Sequence, residues 1–226
     1  MQTFTIANLR ITAVGGVAGR ICYVLYPMAA LGEWIEQAAR KYGVSIAVVT
    51  GMDWDDDLTP WPAPGQPPGS PAFRGLAQTF LSTLTTRIVP EVEGRLGIAA
   101  GAERTLAGVS LSGLFTLWQW MLGDTFRNII SLSGSYWYDG FVDWIKSRPV
   151  PPKTGRAYFL LGNQEAYTRV KAFQCVQIVT TAIVTRLHAH GIDDTLDIVP
   201  GDHYQNPIPR LDRAFAWMFG VTGNQQ

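Results

Sequence analysis

Apolar positions along the chain alternate between two spacings, and the alternation predicts the elements. The opening segment "TFTIANLRITAV" (3–14) is rich in β-branched residues and reads as one or two strands. "RICYVLYP" (20–27) is a nearly unbroken apolar run closed by Pro27, the signature of a strand buried on both faces. "GEWIEQAARKYG" (32–43) puts Trp34, Ile35 and Ala38 on one helical face and ends in glycine. "SIAVVTG" (45–51) is a second buried strand. The following "MDWDDDLTPWPAPGQPPGSP" is the one long irregular stretch, since its prolines and glycines forbid regular structure. A long helix is predicted over 73–97, kinked at Pro90.

Strand and helix then keep alternating: strands at 104–110, 127–134, 156–162 and 194–201, and helices at 111–123, up to about 188–191, and in the closing "PIPRLDRAFAWMFG". An aromatic loop and short helix, "SYWYDGFVDWIKSRP", sit among them. This order predicts an α/β fold with a mostly parallel central sheet and helices on both faces. No repeat or linker interrupts it, so residues 1–226 read as one domain.

Composition narrows the function classes. Hydrophobic residues make up 47% and charged residues 16%, as in a folded globular chain. Eighteen basic residues balance eighteen acidic ones, which leaves no electrostatic footprint for nucleic acid or an anionic membrane. No signal peptide and no apolar run long enough to span a membrane is visible, so a cytoplasmic location is expected. Cys22 and Cys175 are far apart, each in an apolar stretch, and read as buried structural thiols rather than a disulfide.

The sharpest chemical signature is "AGVSLSG" (107–113), at the junction of a predicted strand and helix. Ligands gather at the carboxyl ends of parallel strands. A serine nucleophile on a tight strand-to-helix turn needs small residues two before and two after it. Gly108 meets the first demand; Ser112 stands at the second, where glycine is usual. Ser112 itself is flanked by Ser110 and bulky Leu114, which suits the turn poorly, so Ser110 is the candidate nucleophile. The N–H of Leu111, at the helix N-terminus, would face a developing oxyanion. The alternative is a serine N-cap in an ordinary turn.

A nucleophilic serine needs a base. His188 and His190 sit near a predicted helix end, where a cation suits the dipole, and read as surface residues. His203, in "VPGDHYQNP" after the last strand, is the histidine placed to reach Ser110. The acid that orients it should follow the strand between them, and "FLLGNQEAYT" offers Glu165. Asp202, adjacent to His203, is the weaker alternative. Asp53, Asp55, Asp56 and Asp57 read as a solvated acidic loop, and neither metal nor cofactor is expected.

These stretches together resemble the putative-esterase branch of the α/β-hydrolases, which includes esterase D-like and enterochelin (siderophore) esterase-like enzymes. "CYVLYPMAALGEW" is similar to the family's strand ending in Leu-Asp-Gly-Asn, and "DDLTPWP" to its Arg-Asp-Leu-Thr-Pro. "AGVSLSGLFTLW" resembles its nucleophile elbow, and "SLSGSYWYD" its Ser-Pro-Ser-Leu-Trp-Trp. "LLGNQEAYT" resembles Leu-Gly-Asp-Lys-Glu, and "GDHYQNPIP" the histidine loop. The resemblance implies a serine carboxylesterase with Ser110 as nucleophile, His203 as base and Glu165 as acid. It also implies an oxyanion hole from the N–H of Leu111 and a second one after the "YVLYP" strand. There Tyr26-Pro27-Met28 departs from Asp-Gly-Asn; Pro27 has no N–H, which leaves Met28 as the donor.

The aromatic residues Trp54, Trp61, Tyr136, Trp137 and Tyr138 are candidates for an apolar acyl or alcohol site. The expected partner is a small-molecule ester, with no nucleic acid or membrane, and a homo-oligomer stays open. An acyltransferase on the same fold, or a non-catalytic α/β-hydrolase-fold binding protein, is the alternative.

Overall fold

A computed structural model describes residues 1–16, 19–27, 31–152 and 154–220. Eight strands form one sheet: β1 (Gln2–Ile6), β2 (Leu9–Val14), β3 (Arg20–Leu25), β4 (Ser45–Thr50), β5 (Glu103–Val109), β6 (Asn128–Leu132), β7 (Arg156–Gly162) and β8 (Asp193–Val199). Their order across the sheet is β1-β2-β4-β3-β5-β6-β7-β8. Every pair from β4 across to β8 is parallel, and the pairs β1–β2 and β2–β4 are antiparallel, so β2 alone runs against the others. The segment at 3–14 is therefore two strands. Ala7 and Asn8 carry the turn at φ 50° and 66°, the left-handed geometry a two-residue hairpin needs.

The buried pattern of β3 explains its unbroken apolar run. Ile21, Tyr23 and Leu25 enter one core layer, while Cys22 and Val24 enter the other. Helices α1 (Gly32–Tyr42) and α7 (Pro207–Phe219) cover the second layer. Helices α4 (Leu111–Trp120) and α6 (Val176–Ala189) cover the first, together with α2 (Ala77–Thr83) and α3 (Val89–Leu96). A strand sandwiched between two helix layers has no polar face to show, which is why alternation is missing from its sequence. Gly43 closes α1 in the left-handed conformation, as its place in the sequence predicts.

The helix predicted over 73–97 is shorter and broken. Phe73 pairs with Ala63 in an isolated antiparallel bridge, and the helix begins only at Ala77. A π-helical turn, Leu84–Ile88, then separates α2 from α3. Pro90 enters α3 in its first turn, where its missing N–H costs least. A short helix, α5 (Phe141–Ser147), follows the aromatic loop. Cys22 is fully buried and Cys175 only half-buried, and both are free thiols. Among the described residues, no helix is long and apolar enough to cross a membrane.

Candidate active site

β5 ends at Val109, and the chain reverses into α4 within one residue. That residue, Ser110, has φ 57° and ψ −121°, a conformation that side chains other than glycine rarely adopt. Strain of this kind costs about 1–3 kcal/mol and persists only where surrounding contacts enforce it. The contacts are present. Ser110 N–H donates to Leu132 O at 3.0 Å, and Ser110 O accepts from the N–H of Ser135 and of Leu114, both at 3.0 Å.

Gly108 is required by the turn: a Cβ there would stand 2.2 Å from Ser112 O. Ser112 has its own reason to replace glycine. Its hydroxyl accepts from Val109 N–H at 2.7 Å and lies 2.9 Å from Leu25 O, tying β5 to the end of β3. It is fully buried and points away from the cleft chemistry.

Three residues distant in sequence converge at this turn. The Ser110 hydroxyl lies 3.2 Å from His203 Nε2, and His203 Nδ1 lies 2.9 Å from Glu165 Oε2. Glu165 comes from the loop after β7 and His203 from the loop after β8. The two loops are joined by Gln164 N–H donating to Gly201 O at 3.0 Å. A second hydroxyl, that of fully buried Ser135, lies 3.2 Å from Ser110 Oγ.

The other oxygen of Glu165 is heavily used. Oε1 accepts from Ser133 Oγ and Gly162 N–H, each at 2.6 Å, and from Arg210 at 3.3 Å. Burial pushes the Glu165 carboxyl up, but the hydrogen bonds from His203, Ser133 and Gly162 outweigh it. The net effect holds the group below the usual carboxylate value. An ionised carboxylate at Nδ1 fixes the imidazole with Nε2 free to accept a proton. Asp202 does something else: its Oδ1 accepts the N–H of Tyr204 and Gln205 and shapes the His203 loop.

A cleft of about 490 Å³ opens over Ser110 and His203. Its walls include Trp137, Tyr167, Val170, Phe173 and Tyr204, with Pro67 contributed by the long irregular loop. Trp137 packs on Phe173 with ring centroids 4.4 Å apart.

Of the aromatic candidates, only Trp137 lines this cleft. Tyr136 is fully buried, stacked on Phe141 and hydrogen-bonded to Ser131 at 2.6 Å. Trp61 donates to Asp139 O at 2.8 Å and packs against Tyr138, Phe141 and Trp144. Tyr138 donates to Trp61 O, and Trp54 packs against the core. These rings seal the edge of the domain.

The acidic loop is equally structural. Asp56 accepts from the backbone N–H of Arg74 at 2.7 Å and from its guanidinium. Asp53 and Asp57 accept backbone N–H groups within the loop. His188 and His190 are exposed at the end of α6.

Leu111 is the first residue of α4, so its N–H has no acceptor within the helix. Met28, the second expected oxyanion donor, lies outside the described residues. Arg210 was not anticipated from the sequence. A signal existed: it falls on the buried stripe of α7 with Leu211, Ala214, Phe215, Met218 and Phe219, where a cation is out of place unless paired.

A mostly parallel sheet with a strained serine elbow and a histidine loop after its last strand defines an α/β-hydrolase. Within that class the chain belongs to the family described as Putative esterase, whose model it matches over residues 24–216. It is an ester-hydrolysing enzyme. By sequence it is similar to the protein named "Uncharacterized protein YbbA" of Bacillus subtilis (strain 168). The two are 25% identical over 198 residues, covering 83% of this chain and 79% of that one. Among solved structures it is similar to the siderophore hydrolase EstA from Aspergillus nidulans, with a TM-score of 0.73 and 17% identity. That match covers 95% of this chain and 90% of EstA. The enterobactin and salmochelin hydrolase IroE has a TM-score of 0.70 and 19% identity, covering 97% of this chain and 93% of IroE.

Proposed function

We propose that the protein is a serine carboxylesterase that works through an acyl-enzyme, with Ser110 as nucleophile, His203 as general base and Glu165 as orienting acid. Ser110 Oγ attacks the ester carbonyl as its proton passes to His203 Nε2. Negative charge gathers on the former carbonyl oxygen, where the N–H of Leu111 at the positive end of α4 stabilises it. The second donor is assigned to the segment after β3, at Met28. The intermediate collapses, His203 returns the proton to the departing alkoxide, and the acyl group stays on Ser110. Water then attacks the acyl-enzyme, again losing its proton to Nε2, and releases the acid and free Ser110. Glu165 stabilises the imidazolium that forms twice in the cycle.

The observation that carries this reading is the unbroken chain from Ser110 Oγ through His203 to Glu165, with steps of 3.2 Å and 2.9 Å, built on a serine at φ 57°. The substrate is a small ester whose apolar part rests against Trp137 and Phe173. Since EstA and IroE are named as siderophore hydrolases, ester-linked siderophores are the first natural compounds to assay.

Pre-steady-state hydrolysis of 4-nitrophenyl butyrate tests the mechanism. A burst of 4-nitrophenolate equal to the enzyme concentration is expected, and Ser110→Ala abolishes both burst and turnover. A folded Ser110→Ala variant that retains the wild-type rate contradicts the assignment.

A further inference from the structure

We propose that Arg210 is a positioning residue that locks the acid and the histidine loop into one unit and sets the pH at which the base works. The proposal rests on the triad reading above. Arg210 lies on α7, away from the cleft lining, and is 5% exposed. Its two terminal nitrogens both face the triad. One donates to Glu165 Oε1 and to Ser133 Oγ, each at 3.3 Å, and the other to Asp202 O at 2.7 Å.

Two of the acceptors belong to the acid and its hydrogen-bond partner, and the third to the histidine loop. Glu165 is the acid itself, and Asp202 precedes His203 in the chain. Ser133 is bonded to Glu165 and stands two residues before Ser135, whose hydroxyl meets Ser110. A planar fork with fixed donor directions can hold such a set, which a point charge cannot.

Two further features support the assignment. The Arg210 Nε is buried and has no hydrogen-bond partner among the described residues. A head group placed only for packing would turn to satisfy it; here the orientation serves the triad at the expense of Nε. The backbone has also been cleared around the head. A Cβ on Gly162 would stand 2.3 Å from Gly201 O, 2.7 Å from the second terminal nitrogen and 3.0 Å from Glu165 Oε1, so the two loops and the head group close on this one position.

The charge has a consequence with a definite sign. Among the described residues, the charged and titratable groups facing the Glu165–His203 pair are Arg210 from α7 and, from the β8–α7 loop, Asp202, whose carboxylate is turned to backbone N–H groups, and Tyr204, whose ring meets the imidazole edge-on. Arg210 therefore offsets part of the negative charge that Glu165 presents to the imidazolium. Without Arg210, the imidazolium is better stabilised and holds its proton to higher pH. The acid limb of kcat/KM then moves to higher pH.

The test is the pH profile of Arg210→Met and Arg210→Lys with 4-nitrophenyl butyrate, alongside folding by circular dichroism and fluorophosphonate labelling. In Arg210→Met, kcat is expected to fall about 100-fold, the cost of a misplaced base. KM should stay within roughly threefold, because ground-state binding is untouched. The acid limb should move to higher pH. Arg210→Lys keeps the charge and loses the fork, so its limb should stay in place with kcat between the two.

A folded Arg210→Met variant with wild-type kcat, or with an unmoved limb, overturns the proposal. If Arg210→Met does not fold, Arg210→Lys decides: wild-type kcat or a displaced limb overturns it. Wild-type enzyme unlabelled at Ser110 would instead overturn the triad reading, so the two failures are distinguishable.

Discussion

Glu165 shows how much of the site rests on one side chain. Its buried carboxyl is held below the usual value because hydrogen bonds to the charged form outweigh burial. A group with a depressed value in the folded state stabilises the fold above its unfolded value of about 4.3 and loses that contribution as pH falls through the folded value. Denaturant unfolding followed from neutral pH into the acid range should therefore show a loss of stability that is shallower in Glu165→Gln. Parallel pH dependences in the two proteins would contradict the assignment of Glu165 as the ionised, multiply bonded acid.

The legibility of residues follows from their local constraint. Ser110, Glu165 and His203 could be read as candidates because each follows a strand at the carboxyl edge of a parallel sheet, a placement the hydrophobic pattern reveals. The aromatic residues could not be sorted this way. Trp61, Tyr136 and Trp137 belong to similar loops, and only packing decides that Trp137 faces the cleft while Tyr136 is stacked on Phe141. Arg210 is set apart in the sequence only by its place on the buried stripe of α7.

At the scale of elements, the junction of β5 and α4 is the most constrained joint. The strand must end, the chain must turn through a left-handed residue, and the helix must begin, with backbone packed on backbone. Gly108→Ala forces a methyl to within 2.2 Å of Ser112 O, and neither side of that contact is a flexible side chain. The substitution should destabilise the protein by about 1–3 kcal/mol, the usual cost of overpacking, and lower kcat by displacing Ser110. Thermal unfolding and steady-state kinetics check this, and an unchanged melting temperature would show that the turn is looser than described. Strands and the shorter helices were readable from periodicity. The 73–97 helix was not, because the Ala63–Phe73 bridge that delays its start is a long-range pairing, and a π turn leaves no distinct periodicity.

At the scale of the molecule, the sheet separates stability from chemistry. The parallel strands bring their carboxyl ends together, so Ser110, Glu165 and His203 meet although they are 38 to 93 residues apart in the chain. The antiparallel β1–β2 hairpin occupies the opposite flank, with β4 and β3 between it and β5. Ile11 in β2 is fully buried. Ile11→Ala should cost about 2–5 kcal/mol in urea unfolding while leaving kcat/KM of the folded enzyme within about twofold. A collapse of activity in the folded variant would show that the far flank is coupled to the site.

The central claim is that Ser110 is an activated nucleophile. It is tested most directly by reacting the folded enzyme with a fluorophosphonate and mapping the modified peptide by mass spectrometry. The account predicts one adduct, on Ser110, that disappears in Ser110→Ala and forms more slowly in His203→Ala. Folded enzyme that takes no label, or takes it on Ser112 or Ser135, would contradict it.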